Sequence, residues 1–147
     1  MTNRKRSKHH TGWAGALAVA AELSRRGHDA AITLGNTPAL DILCSSPTGK
    51  PFKVQVKSVS RPNWVQIQRI HLEPPVYQDL YFAVVWVNED NAKPFVFHIL
   101  SHAEVCDDYS RQPKTRRDGK ALIPGREGVA WRPLVEKNID QWGKLPA

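Results

Sequence analysis

The feature that most restricts the fold is residues 80–87, Leu-Tyr-Phe-Ala-Val-Val-Trp-Val, a run that is almost wholly apolar. A strand of that composition is buried on both faces, so it belongs in the middle of a sheet covered on either side. The covering layers must come from the same chain, because 147 residues hold one domain with a true core and little more.

The remaining pattern supplies those layers. Thr11 is the expected cap of a helix running to about Arg26, with Trp13, Leu17, Ala20 or Ala21 and Ser24 recurring on one face. Arg25 and Arg26 suit the negative end of its dipole, and Gly27 supplies a left-handed stop. Its Ala and Gly content lets it approach a sheet closely. The period then changes to two. Ala30 to Leu34 reads as a strand ending at Gly35-Asn36, where Asn36 shapes a turn, and residues 39–44 read as a second. After a turn at 45–50, Phe52 to Val59 alternates cleanly, with Phe52, Val54 and Val56 on one face and Lys53, Gln55, Lys57 and Val59 on the other.

Trp64 to Ile70 is expected to be a further strand, and Glu73-Pro74-Pro75 breaks the chain before 80–87. Phe95 to Leu100 returns as its neighbour. Ser101-His102-Ala103-Glu104 is a capping box opening a helix to about Tyr109. Residues 110–130 read as a loop, and a C-terminal helix from Leu134 to Trp142 would close the domain. Residues 1–10 are expected to be a basic, disordered arm. Residues 11–147 form one domain, with a helix-loop-helix extension at 101–147. The predicted class is α/β (α+β), a mixed central sheet flanked by helices.

The formal net charge is +7, and it is unevenly placed. Arg4, Lys5, Arg6 and Lys8 crowd the N-terminus, and Lys114, Arg116 and Arg117 form a second cluster. Such runs attract phosphate backbones and nominate a nucleic-acid partner, although basic tails also serve simply as solvated surface. Cys44 and Cys106 stand far apart and read as buried hydrophobes of a reducing compartment. The His residues show no ligand spacing, so a zinc site is not expected. No stretch approaches the roughly 18–20 apolar residues of a membrane span. The basic start followed by Trp13 to Leu23 has the outline of a signal peptide, but Glu22, Arg25 and Arg26 follow at once. The expectation is a cytoplasmic protein with no membrane contact.

The candidate site begins with Asp41, set inside the apolar strand Leu40-Asp41-Ile42-Leu43. A carboxylate there costs free energy unless it is hydrogen-bonded, paired or bound to a cation. Gln55 and Lys57 leave one face of the next strand, and a simple hairpin register brings Asp41 to the same face. An acidic oxygen, an amide oxygen and an ammonium meeting there suit phosphodiester hydrolysis. A divalent cation takes hard oxygen ligands, and a lysine orients the attacking water and offsets developing charge.

An Ala-rich helix ending in Arg-Arg-Gly, a strand, Asp41 in an apolar strand, and then Gln55-Val56-Lys57 resembles the PD-(D/E)XK nuclease superfamily. The resemblance is closest to small bacterial members whose third motif is Gln-x-Lys, and it spans roughly residues 12–100. It implies a restriction-endonuclease-like fold and a metal-dependent endonuclease acting on DNA. Asp41 and Gln55 would be the ligands of Mg²⁺ or Mn²⁺, and Asp41, Gln55 and Lys57 the catalytic set. The amide at Gln55 departs from the usual carboxylate, and Leu40 from the usual small or Pro-like neighbour. The glutamate that the family often carries on its first helix is Ala16 here. Glu22 lies on a different face of the helix and is a poor substitute.

Two other readings compete. The first is a catalytically degenerate nuclease-fold module that binds nucleic acid without cutting it. The second is an assembly subunit whose basic segments meet an acidic partner, which leaves room for a homodimer or larger complex. Locally, Asp41 and Lys57 also suit a plain ion pair at a sheet edge, and Ser58 an ordinary strand position. Trp64 and Trp131 are expected in the core before they are expected to stack on bases.

Overall fold

The computed structural model describes residues 5–34 and 40–147, with Leu40 and Asp41 described by their backbone alone. Arg4, Gly35 and Asn36 therefore lie outside the described residues. Helix α1 (Lys8–Arg25) precedes strands β1 (Asp29–Ile32), β2 (Leu40–Ser45) and β3 (Pro51–Val59). There follow β4 (Val65–Gln66), β5 (Leu80–Trp86), β6 (Val96–Ser101), helix α2 (His102–Ser110) and β7 (Gly128–Val129).

The main sheet has five strands in the order β1-β2-β3-β5-β6. It is mixed: β3 and β5 run parallel, and the other neighbours are antiparallel. This is a single α+β domain. The apolar run lies inside the sheet as anticipated, with Phe82, Ala83, Val84 and Val85 all buried. On one face Val54, Val56, Ala83, Val85 and Ile99 pack beneath Ala16, Val19 and Leu23 of α1. On the other, Phe82, Val84 and Leu100 pack beneath Val105 of α2, Val65, Ile67, Val129 and Val135. Burying one such side chain is worth about 1.5–3 kcal/mol, so each layer anchors the sheet independently.

Helix α1 begins earlier than expected, and residues 8–10 are helical instead of disordered. Ser7 is the cap and its hydroxyl accepts from the His10 N–H at 3.1 Å. Thr11 sits inside the first turns, donating to the Ser7 carbonyl at 3.1 Å and accepting from Arg6 Nε at 3.2 Å. The buried face is Thr11, Gly15, Ala16, Val19 and Leu23, not the one through Trp13 and Leu17. Leu17 is exposed because close approach favours the small residues over the large ones. The stop at Gly27 is as expected: its φ is +85°, and His28 N–H reaches the Leu23 carbonyl while Gly27 N–H reaches Ser24.

Three other expectations change. Only Val65–Gln66 of the proposed 64–70 strand forms a ladder, pairing with β7, before a 3₁₀ turn at Arg69–His71. The 110–130 loop thus contributes β7 and a Thr115–Ala121 bridge. The C-terminal helix is replaced by a π-helical turn at Trp131–Val135 and 3₁₀ turns at Glu136–Asn138 and Trp142–Lys144. Asp140 takes a φ of +51°, so a regular helix cannot run through to Trp142. Instead the segment lies along β6, with Asp140 N–H bonded to the Phe97 carbonyl at 2.9 Å. Cys44 and Cys106 are buried free thiols, and burial pushes Cys44 up to about 12. Among the described residues no helix is long and apolar enough to cross a membrane.

Candidate functional site

The register of β2 against β3 sets the site. Asp41 is the Cα partner of Gln55, flanked by Leu40 opposite Val56 and Ile42 opposite Val54. Ile42, Cys44, Phe52, Val54 and Val56 belong to the α1-side core, so alternation sends 53, 55 and 57 to the other face. Position 41 falls on that same face by backbone register; the Asp41 carboxylate itself lies outside the described residues. Gln55 is 4% exposed and pairs in register with Phe82, while Lys57, half-buried, pairs with Val84.

Two clefts open over this strand. Lys57 lines a cleft of about 630 Å³ together with Lys8, Ser58, Gln66, Gln68 and Arg69. Gln55 and Lys53 floor a second, walled by His71, Glu73, Tyr77 and Asp79. The turn Arg69–His71 contributes residues to both, so it stands between them. What holds that turn is His102, which is 1% exposed. Its Nε2–H donates to the His71 carbonyl at 2.9 Å and its Nδ1 accepts from the Tyr77 N–H at 2.9 Å. Both ring nitrogens are thereby used, which fixes one neutral tautomer and pins residues 71–77 to α2. No sequence spacing pointed to His102, because its partners are backbone groups.

Ala16 is 0% exposed within the α1-side core, on the other side of the sheet from positions 55 and 57. Glu22 is engaged with Arg25 at 3.0 Å and Arg26 at 3.5 Å. Ser58 faces α1, its Oγ donating to the Gly12 carbonyl at 3.5 Å. The basic residues divide. Arg6 is docked, its guanidinium donating to the Val87 and Asn88 carbonyls at 2.7 and 2.8 Å and to Asn91 Oδ1 at 3.1 Å. Arg116 pairs with Asp118 at 3.2 Å, and Lys114 lies over the Tyr109 ring at 5.6 Å. Lys5, Lys8 and Arg117 are exposed, and only Lys8 of these reaches the Lys57 cleft.

Trp131 is half-buried against the α2-side core and packs edge-on on His98 at 4.7 Å. Trp64 is not in the core: it is 42% exposed and lines an adjoining cleft of about 370 Å³ that shares Lys8, Lys57, Ser58 and Gln66 with the first. Buried Val65 and Ile67 alternate with outward Gln66 and Gln68. Neither that alternation nor the position of the indole was settled by the Gln-rich sequence.

Positions 41 and 55, Cα partners on adjacent strands, carry a carboxylate and an amide residue type. Both are hard oxygen donors of the kind Mg²⁺ or Mn²⁺ accepts, with less negative charge than a pair of carboxylates. Among the described residues no three His, Cys, Asp or Glu side chains gather into a metal-holding group. No protein-family model, curated protein or solved structure matches the chain.

Proposed function

We propose that the chain is a nucleic-acid phosphodiesterase of the nuclease type, acting on DNA by way of the β2–β3 site. The observation that carries this reading is the shared face of positions 41, 55 and 57, opening at Lys57 into a cleft with further cationic and amide side chains. Asp41 and Gln55 would hold the divalent cation, which when bound supplies charge stabilisation at the scissile phosphate. The Lys57 ammonium donates to a phosphate oxygen and orients the water that attacks phosphorus, as the P–O bond to one sugar oxygen breaks and that oxygen leaves with a proton from solvent. Lys8 and Arg69, the latter paired with Glu73 at 2.9 Å, both line the cleft and hold the flanking phosphates, while Gln66 and Gln68 offer neutral hydrogen bonds.

The test is cleavage of single-stranded, duplex and branched DNA, and of RNA, with Mg²⁺ and with Mn²⁺. Lys57→Ala is expected to lower cleavage at least a hundredfold, the scale of one positioned acid–base or electrostatic group. Asp41→Ala should abolish the metal requirement together with the activity. Equal cleavage by parent and Lys57→Ala would remove Lys57 from the chemistry.

A second reading is favoured by Gln55, the Cα partner of Asp41, whose amide brings one less negative charge to a cation than a carboxylate would. It makes the chain a binding module that keeps the site's shape without its turnover. This reading predicts salt-sensitive nucleic-acid binding that chelators leave unchanged, and no cleavage with either metal.

A further inference from the structure

We infer that the cleft beside Lys57 takes an unpaired nucleotide, with the indole of Trp64 stacked on its base and Lys8 and Lys57 set against its phosphates. This rests on the nucleic-acid reading above and narrows its substrate to single-stranded stretches.

Trp64 is exposed yet held. Its Nε1–H donates to the Arg126 carbonyl at 3.0 Å, and its backbone N–H to Asn63 Oδ1 at 2.8 Å. Beneath it, β4 and β7 pair as a two-stranded ribbon in which Val65 is buried and the Gln66 amide donates to the Gly125 carbonyl. Gly128 makes this possible: a Cβ there would stand 2.9 Å from Trp64 Nε1 and 2.0 Å from the Val65 carbonyl oxygen. The indole is thus fixed before any ligand arrives, so little side-chain entropy is lost on binding.

Its surroundings suit a base and not a core. Trp142 packs on Phe97 and Trp131 on Trp86 and His98, whereas Trp64 shares its cleft with Lys8, Lys57, Ser58 and Gln66. Across from it, a Cβ on Gly12 would meet nothing within 4 Å, which leaves open space above the first turns of α1. A duplex presents base edges to a protein and hides the faces. An exposed indole beside two lysines stacks on a base face, which only an unpaired nucleotide offers.

The experiment measures fluorescence anisotropy of a labelled thymidine 12-mer, a uridine 12-mer and a blunt duplex, all in EDTA, so that cleavage plays no part. Trp64→Leu is expected to weaken single-strand binding about tenfold, the effect of losing one base stack. Trp64→Phe should stay within about threefold of the parent and duplex binding should change less than about twofold in both variants, since a phenyl ring still stacks and a duplex never uses the site. If Trp64→Leu does not fold, quenching of parent tryptophan emission by the thymidine 12-mer, lost in Trp64→Phe, reads the same contact. Unchanged single-strand affinity, or an equal loss for duplex, overturns the stacking role while leaving the nucleic-acid reading intact. Absence of binding to every probe at low salt overturns both.

Discussion

A Cβ at position 15 would stand 2.0 Å from Ser58 Oγ and 3.0 Å from Ser58 Cβ, so Gly15 sets how closely α1 lies on the sheet. The hydroxyl can rotate away, but the Ser58 Cβ is fixed to β3, and Val85 Cβ follows at 3.4 Å. Gly15→Ala gains up to about 1 kcal/mol in helix propensity, whereas overpacking a filled interface costs about 1–3 kcal/mol. The steric term wins, and urea unfolding should show a net loss of about 1 kcal/mol. In a Ser58→Ala background the same change should cost less, because one of the two close contacts is gone. Equal cost in both backgrounds would show that Ser58 is not what Gly15 accommodates. The same close approach explains why Thr11, Ala16 and Val19 face inward and Leu17 does not.

At the level of elements, the Glu104–Lys144 pair ties α2 to the C-terminal turns. Lys144 Nζ lies 2.7 and 2.9 Å from the two Glu104 oxygens and also donates to Asn138 Oδ1. Partial burial pushes the Glu104 carboxyl up, but hydrogen bonds from Lys144 and from the Ser101 N–H outweigh it and hold the group below its ordinary 4.5. A carboxyl depressed in the folded state adds stability that is complete above its unfolded value and is lost as pH falls through the folded one. Lys144→Met should therefore lose about 1 kcal/mol at pH 7, a modest figure because both side chains are partly solvated. That deficit should shrink steadily below pH 4.5. A deficit that stays constant from neutral to acid pH would mean that lost packing, not charge, is responsible.

The capping box of α2, its boundary and the alternation of β3 were legible because their signals are local: Ser101 and Glu104 satisfy each other three residues apart. The 64–70 segment was not, because β4 exists only through its pairing with Gly128 and Val129 far along the chain. Of the site, the shared face of 55 and 57 follows from period two. The Asp41–Gln55 register was foreseen as a simple hairpin and is what the backbone shows. The turn at Arg69–His71 closes by local backbone hydrogen bonds, but its clasp joins the His102 ring to backbone groups far along the chain, which leaves no pattern in the residues themselves.

For the whole molecule, the net charge of +7 does not measure the surface available to phosphates, since the basic groups are engaged to different degrees. Arg6 closes the end of β5 through two backbone carbonyls and Asn91, and hydrogen bonds from a charged donor to partly buried acceptors are worth about 1.5–3 kcal/mol. Arg6→Ala should accordingly lower stability by about 2 kcal/mol while leaving the salt dependence of nucleic-acid binding unchanged. Lys8 is solvated at the cleft mouth, so Lys8→Ala should do the reverse. Each phosphate neutralised on a single strand adds about 0.7 to the slope of log K against log salt, and Lys8→Ala should remove one such increment. Joint replacement of Lys114, Arg116 and Arg117 should lower the slope further only if the 110–127 loop closes over the bound strand. The measurement is affinity for a thymidine 12-mer at several salt concentrations, beside urea unfolding of each variant. Should Arg6→Ala flatten the slope while Lys8→Ala leaves it alone, the strand runs past the N-terminal arm and not through the Lys57 cleft.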